Sequence, residues 1–394
     1  MLSDYTMRKT IKNTALFSSQ FIQIWNNKLI LVSIYTDLIF FIDLDKNQVT
    51  EMLWCQNEKY IETLFRSFCR LDDDLILIPY NAEDFVKIDL NTKHVEDISG
   101  IIKNEEKVKA GKFLCGIKAG GYLWIIGENL RKVIGLDIQR NYVKAFEYDY
   151  SDLGEVFWSG SYIIHNNMIY IPGRRSNQIL EIDIIKQNAK VRQISGLKDV
   201  SGFLDIVYLE DGIHLFDSAG LEYKWDPQYD LTEYLESNEL EEFFLASRQS
   251  FVYKDKLFRV ALFEDSLYIR STGEKFCRVS VPCRQNNLGN NYTHFHDGYA
   301  VGRYFYIQSR DGRLFCLDME TAKVVEYPVY DTNDEIGELR RIAAGKMFNK
   351  MDIKEGIMEN IEDLIDSLYQ GQAANERKNF SKIGKIILEM IKFI

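Results

Sequence analysis

The 394-residue chain is poor in proline and histidine, with five of each, and contains no apolar run of the ~18 residues that marks a membrane span. Residues 1–19 lack the uninterrupted apolar segment and small-residue cleavage site of a secretory signal. None of the six cysteines forms a C-x-x-C pair, which favours reduced, buried thiols over disulfides or a zinc site. We therefore expect a cytoplasmic protein without a membrane span, although the third predicted tail helix could still dock on a membrane surface.

Basic charge is also scarce, since 48 lysines and arginines stand against 59 acidic residues and leave a net charge of −11. Proteins that bind nucleic acid need clustered lysine and arginine to neutralise phosphates, so nucleic acid is not an expected partner. The sequence also lacks the short motifs of nucleotide-binding loops, zinc proteases, serine hydrolases and EF-hands. No cofactor is expected. The many isoleucine, lysine and asparagine residues indicate a bacterial source with an AT-rich genome.

What the chain does contain is a hairpin that recurs seven times. One copy reads Ile88-Asp89-Leu90-Asn91-Thr92-Lys93-His94-Val95, which predicts a strand end, a polar turn and the start of another strand. Its anchor recurs every 43 to 48 residues, and a second turn marker keeps the same period. The seven anchor positions are Asp43, Asp89, Asp137, Asp183, Asp226, Arg270 and Asp318.

A period in the forties that is built of short strands is typical of propeller blades with four strands each. The sequence therefore predicts an all-β, seven-bladed β-propeller over residues 1–330, followed by a C-terminal α-helical tail over residues 331–394. Each anchor should end the third strand of its blade, and the next strand should be outermost. Blades one and seven each have four candidate strands, so no conventional strand swap is expected at closure. Residues 6–11 can pair along an outer edge.

The tail changes from period two to period 3.6, which predicts three helices. Thr332 and Glu335 form a capping box that opens the first, which extends to about Met347. The second begins near Asp352 and the third near Asn375, and each carries an apolar stripe. These stripes must be covered, either by packing within the tail or on the ring, or by a docking partner.

The hairpins resemble those of kelch-type propellers and of the galactose-oxidase central domain. The similarity rests on Met168-Ile169-Tyr170-Ile171-Pro172-Gly173 followed by Ile182-Asp183-Ile184. The segment from Ile88 to Lys93 is also similar to hairpins of quinoprotein-like bacterial propellers. The resemblance covers the ring and implies the same superfamily architecture. The double glycine of kelch blades is replaced by Gly127-Glu128 and Pro172-Gly173.

Candidate functional residues lie at the predicted starts of the innermost strands, where they would form a rim around the central channel. His294 and His296 would point to the same side of a strand and, with Asp297 beside them, could bind zinc or iron. Two imidazoles need a third ligand from another blade, and hydrogen-bonded structural histidines are the alternative. The rim candidates are Arg66, Lys112, Trp158, Asp205, Arg248, His294 and His296.

We interpret the chain as a non-enzymatic propeller that binds a protein partner, or a small anionic ligand, on this rim, with the tail as a latch or docking element. The alternative is a metal-assisted propeller enzyme, a lyase or hydrolase that uses His294 and His296. Metal analysis of the purified protein would separate the two hypotheses.

Overall fold

The computed structural model describes residues 9–10, 19, 21–33, 38–55, 64–82, 84–98, 111–153, 156–197, 200–217, 219–235, 247–261, 265–271, 274, 276–282, 295–309 and 312–331. The chain divides into two units, Met1–Thr332 and Asn333–Ile394, and every described residue belongs to the first. The three predicted tail helices lie outside the described residues. Within the described ranges, no helix combines the length and hydropathy needed to span a membrane.

Seven antiparallel sheets form the seven blades of a β-propeller, as the sequence period predicts. Blade one contains β2 (Ile22–Trp25), β3 (Lys28–Val32), β4 (Leu38–Asp43) and β5 (Gln48–Trp54). Blade two contains β6 (Phe65–Leu71), β7 (Asp74–Pro79), β8 (Val86–Asp89) and β9 (Val95–Asp97), and blade three contains β10 (Phe113–Ala119), β11 (Tyr122–Gly127), β12 (Lys132–Asp137) and β13 (Val143–Asp149). Blade four contains β14 (Ile163–His165), β15 (Met168–Pro172), β16 (Gln178–Asp183) and β17 (Asn188–Gln193).

The remaining three blades repeat this order. Blade five contains β18 (Phe203–Leu209), β19 (Gly212–Asp217), β20 (Glu222–Asp226) and β21 (Leu231–Leu235). Blade six contains β22 (Ser247–Tyr253), β23 (Lys256–Ala261), β24 (Ser266–Ser271) and β25 (Cys277–Ser280). Blade seven contains β26 (Tyr299–Val301), β27 (Tyr304–Gln308), β28 (Leu314–Asp318) and β29 (Lys323–Tyr327). The first strand of a blade is innermost, since β6 lies against β10 and β18 against β22.

The recurring aspartate ends the third strand because its carboxylate organises the turn that follows. Asp89 Oδ1 accepts hydrogen bonds from the backbone amides of Asn91 and Thr92 at 2.9 and 2.8 Å, and these bonds hold the pKa of Asp89 below its usual value. Asp43, Asp137, Asp183, Asp226 and Asp318 accept the same pair of bonds. This Asx turn lets the chain reverse after each third strand.

The anchor assigned to blade six is wrong by one residue. Lys256 pairs with Ser271 in the register in which Lys28 pairs with Asp43, so Ser271 stands at the anchor position. Arg270 stands one residue earlier, where the other blades carry a buried apolar side chain. Its strand is still the third of its blade, as predicted, because the shift does not change the strand order.

The turn between the first and second strands is short in every blade. In blades one and four it is an asparagine pair with positive φ at both residues, 46° and 60° at Asn26 and Asn27. Such turns match the right-handed twist of the strands that they join. We call the side of the ring that carries these turns, together with the turns between third and fourth strands, the short-turn face.

The ring closes on blade one without a strand swap, as predicted. β30 (Tyr330–Asp331) follows blade seven and pairs in parallel with β5, and β1 (Lys9–Thr10) pairs antiparallel with β30. The expectation that residues 6–11 pair along an outer edge is met by β1. The expectation that the fourth strand is always outermost is wrong in blade one, because these two short strands cover β5.

Apolar clusters between neighbouring blades form the core. One cluster joins blades three and four around Trp124, Ile169 and Leu180, each completely buried. Similar clusters join blades one and two, two and three, four and five, and six and seven. Among the described residues, the cluster between blades five and six holds three buried residues, Val207, Phe216 and Leu257, and a further small cluster within blade six holds Ala261 and Tyr268.

Candidate functional site

The predicted rim residues lie near the starts of the innermost strands, but they do not occupy one equivalent position. In blades two, three and five, the first residue of the innermost strand pairs with the end of the second strand and a bulge follows. Isolated bridges at Trp158 and Phe295 continue the pairing in blades four and seven. Trp158 is therefore equivalent to Phe65. Arg66 and His296 each lie one residue after this equivalent position in their own blades, and Asp205 lies two residues after it.

Arg66 connects blade two to blade three. Its guanidinium donates to Glu128 Oε2 at 2.8 Å and lies over the Tyr80 ring, 5.1 Å from the centroid. Burial raises the pKa of the Tyr80 phenol, and the Glu128 carboxylate acts in the same direction. The charge of Arg66 is thus matched by a carboxylate within the ring.

Lys112 makes a second link between the same two blades. Its Nζ donates to the carbonyl oxygen of Ala82 at 3.0 Å, and its backbone amide donates to the carbonyl of Tyr80 at 2.9 Å. Lys112 precedes β10 and lies one residue before the strand position of Trp158.

Trp158 and Asp205 are both buried, with exposed fractions of 3% and 0%. Trp158 packs edge-on against Tyr150, with ring centroids 5.7 Å apart, inside the core between blades three and four. Asp205 accepts hydrogen bonds from the Ser161 hydroxyl of blade four and from the Ile206 amide. Neither side chain presents a surface to a ligand.

Of the remaining candidates, His296 is buried, and its backbone amide donates to the Gln308 carbonyl at 2.9 Å. Arg248 lies at the bulge of β22, between the paired residues Ser247 and Gln249. His294 lies outside the described residues, so the predicted histidine pair stays a prediction. Within the described ranges, no group of three or more histidine, cysteine, aspartate or glutamate residues is arranged to hold a metal ion.

The opposite ends of the innermost strands, on the short-turn face, carry exposed apolar side chains that sequence reasoning missed. Ile164, Tyr208 and Val252 occupy equivalent positions on blades four, five and six, since each pairs with the second residue of its second strand. Their exposed fractions are 47%, 43% and 42%. We call these three residues the apolar arc. The same position holds Arg70 and Lys118 in blades two and three.

The arc is supported from one side by a histidine. The His165 and Tyr208 rings stack with their centroids 4.1 Å apart, which joins the last residue of β14 to β18 of the next blade. Stacking fixes the orientation of the phenol ring at the mouth of the channel. The arc is therefore a preorganised surface.

A second missed feature is an ionic network between blades five and six, where the described residues form only a small apolar cluster. Glu222 accepts a bidentate pair of bonds from Arg270, both at 2.8 Å, and faces His214 Nδ1 at 2.8 Å. His214 Nε2 faces Asp211 Oδ1, also at 2.8 Å. Both ring nitrogens thus face carboxylates. We call Asp211, His214, Glu222, Arg259 and Arg270 the charged seam.

Electrostatics at the seam favour the ionised form of Glu222 and oppose that of the buried Arg259. Burial alone would raise the pKa of Glu222, but hydrogen bonds and charge from His214 and Arg270 lower it to about 2. Arg259 is 1% exposed and stacks over Phe216, with its guanidinium carbon 3.9 Å from the centroid. Burial lowers the pKa of Arg259 to about 10, opposed by the charges of Asp205 and Glu222. The centre of the seam is therefore a bidentate ion pair between Arg270 and the buried Glu222 carboxylate.

These charges stand at positions that are apolar elsewhere in the ring. Where blade five has Glu222, the other blades have Ile39, Phe85, Val133, Ile179, Leu267 and Leu314. Where blade six has Arg259 and Arg270, blade four has Ile171 and Ile182. A blade-by-blade alignment of the sequence would have revealed these departures once Ser271 had been recognised as the anchor.

Comparisons with known proteins support the fold alone. No family model and no curated protein matches the chain. Virginiamycin B lyase from Staphylococcus aureus is similar in structure, with a TM-score of 0.59, 10% identity, and coverage of 78% of this chain and 96% of the lyase. The computationally designed Ika8 protein matches with a TM-score of 0.51 and 8% identity, over 75% of this chain and 82% of its own.

PorZ of Porphyromonas gingivalis, described as a bacterial surface component of the type-IX secretion system, matches with a TM-score of 0.52 and 14% identity. The match covers 81% of this chain but 39% of PorZ. The resemblance to kelch-type and galactose-oxidase propellers stays a prediction, because these neighbours establish a propeller and not that superfamily.

Proposed function

We propose that the chain is a non-enzymatic, cytoplasmic interaction module that binds a protein partner at the rim of its channel, through the apolar arc. The supporting observation is the arc itself, in which three consecutive blades expose a large apolar side chain at one equivalent position. Exposed apolar surface in contiguous patches is typical of interaction sites, because water contact with such surface is unfavourable.

The predicted rim at the other ends of the innermost strands supports this choice. Arg66, Lys112 and Asp205 bond to neighbouring blades, and Trp158 is buried in the core. These four residues stabilise the ring, which leaves the apolar arc as the candidate binding surface. The structural neighbours include a lyase and a secretion-system component, and likeness of fold therefore favours neither class.

A triple variant tests the proposal. Ile164→Ser, Tyr208→Ser and Val252→Ser together remove the arc, and a tagged chain is used to capture proteins from its source cells. The captured protein is then purified and its affinity measured by calorimetry. Loss of the arc should weaken binding at least about tenfold, equal to about 1.4 kcal/mol.

The matched control changes three apolar residues of similar exposure away from the arc, Val143, Leu153 and Val325, to serine. The control should bind as the unmodified chain does. Equal binding by the arc variant would contradict the proposal. Stoichiometric zinc or iron in the purified protein, lost in His294→Ala/His296→Ala, would instead support the metal-assisted enzyme.

A further inference from the structure

The outermost strands of the blades differ in how their free edges are protected. An unpaired strand edge is a template for another chain, and lysine or arginine on the edge strand discourages such pairing. Four outermost strands, β13, β17, β25 and β29, each contain at least one of these residues, and β9 has only three residues. The two longer strands without a basic residue are β5 and β21.

β5 shows that an outermost strand without a basic residue can pair with a further strand in this ring. β30 adds to it in parallel, through pairs that join Tyr330 to Gln48 and Asp331 to Val49. The outer edge of a blade in this fold therefore accepts an added strand. β21 is the last strand of its sheet, and none of the described residues pairs with its outer edge.

Apolar side chains are concentrated around β21. Tyr229, Leu231 and Tyr234 have exposed fractions of 66%, 65% and 47%. Tyr234 is held in place by the Tyr223 ring of the neighbouring strand, 5.5 Å between centroids. This edge thus combines backbone groups that no described strand pairs with and large side chains, the two elements that strand addition uses.

The charge of blade five is strongly one-sided. Residues 203–235 contain a single basic residue, Lys224, whose Nζ bonds to Asp211 at 3.1 Å. Among the acidic residues, Glu210, Asp226 and Glu233 are exposed. The acidic residues of this range are Asp205, Glu210, Asp211, Asp217, Glu222, Asp226, Asp230 and Glu233. The exposed carboxylates on the two outer strands, Asp226 and Glu233, favour a ligand that carries positive charge at this edge.

We propose that blade five binds an extended, basic segment of a protein partner, which adds as a fifth strand along β21. Lysine or arginine side chains of the segment pair with Glu233 and Asp226 on one face of the sheet, and its apolar side chains pack against Tyr234 on the other face. An anionic lipid surface or a nucleic acid would be repelled by the same carboxylates. This surface lies on the outer edge of the ring and is separate from the apolar arc.

Fluorescence anisotropy with labelled eight-residue peptides tests the proposal on the full chain. A peptide of alternating lysine and valine should bind. Two matched peptides should bind at least about tenfold more weakly, one with glutamate in place of lysine and one N-methylated at alternate residues. N-methylation removes the amide donors that strand addition needs and leaves the side chains unchanged.

The variant Leu231→Lys/Glu233→Lys should abolish binding of the lysine–valine peptide, since it restores the basic protection seen on the other edges. Val325→Lys, on the outermost strand of blade seven, is the matched control and should bind unchanged. Circular dichroism checks that both variants remain folded. Failure of the lysine–valine peptide to bind, equal binding of either comparison peptide, or no effect of the double variant would overturn the proposal.

Discussion

Two interfaces between neighbouring blades differ in the kind of residue that they bury. One joins blades three and four, and the other joins blades five and six. The first buries an apolar cluster around Trp124, and the second buries the charged seam around Glu222 and Arg259. Apolar packing tolerates small changes of position, whereas a bidentate arginine–carboxylate pair requires one geometry. We infer that the charged seam fixes which blade edges meet and contributes less to the free energy of unfolding than an apolar cluster would.

The largest effect should come from breaking the seam at its centre. Glu222→Gln leaves the buried Arg259 and the partly buried Arg270 with one carboxylate fewer, which should lower the free energy of unfolding by about 3–5 kcal/mol. Denaturant unfolding measures this. Glu233→Gln, an exposed glutamate of the same blade, serves as control and should stay within about 0.5 kcal/mol. A similarly small loss for Glu222→Gln would show that the pairs contribute nothing specific.

A smaller effect of opposite sign is expected when the seam is made apolar, as in the other blades. Glu222→Ile, Arg259→Leu and Arg270→Ile together copy the residue types of blades four and one. Since buried ion pairs are often outperformed by apolar residues of similar volume, the triple variant should match or exceed the unmodified chain by about 1–4 kcal/mol.

The same unfolding experiment decides the outcome, with Arg270→Ile alone as control, because that variant leaves Glu222 without its bidentate partner and should be destabilised. A triple variant less stable than the single one would mean that the seam is needed for stability as well as for specificity.

The smallest effect concerns pH. The pKa of Glu222 is lowered from about 4.5 to about 2, so its stabilising contribution is complete above pH 4.5 and is lost as the pH falls towards 2. Between pH 6 and pH 4 the free energy of unfolding should decline by about 1 kcal/mol from this group. The apolar triple variant should lack that component. Parallel pH profiles of the two proteins would contradict the assignment.

The sequence was sufficient to predict the ring because the aspartate of each hairpin has a local role. Asp89 and its equivalents bond to amides two and three residues ahead, so a fixed spacing in the sequence reports a fixed turn. Blade six lacks that aspartate, and its anchor was placed on Arg270 instead of Ser271 for this reason. Because of this error, Arg270 was not recognised as a charged residue at a position that is apolar and buried in the other blades.

The candidate site was harder to predict, because it depends on strand register and on contacts between distant segments. A bulge after Phe65 and after Phe203 shifts the register between the first and second strands, and no residue type in the sequence predicts it. The His214–Glu222–Arg270 contacts join two blades across 56 residues of sequence. The apolar arc was missed because isoleucine, tyrosine and valine are also the usual residues of a buried strand.

The position of β30 has a consequence for synthesis of the chain. β5 is complete after residue 54, but the strand that covers its edge begins at Tyr330, so nearly the whole ring must leave the ribosome first. During that interval β5 has neither lysine nor arginine to discourage pairing with another nascent chain. The Ser19 amide donates to Gln308 Oε1 at 2.8 Å, so this hydrogen bond also cannot form until blade seven has been synthesised. Blade one is therefore the first blade to be synthesised and the last to be completed. The time between synthesis of β5 and synthesis of β30 is the period during which a newly made molecule is vulnerable to aggregation through this edge.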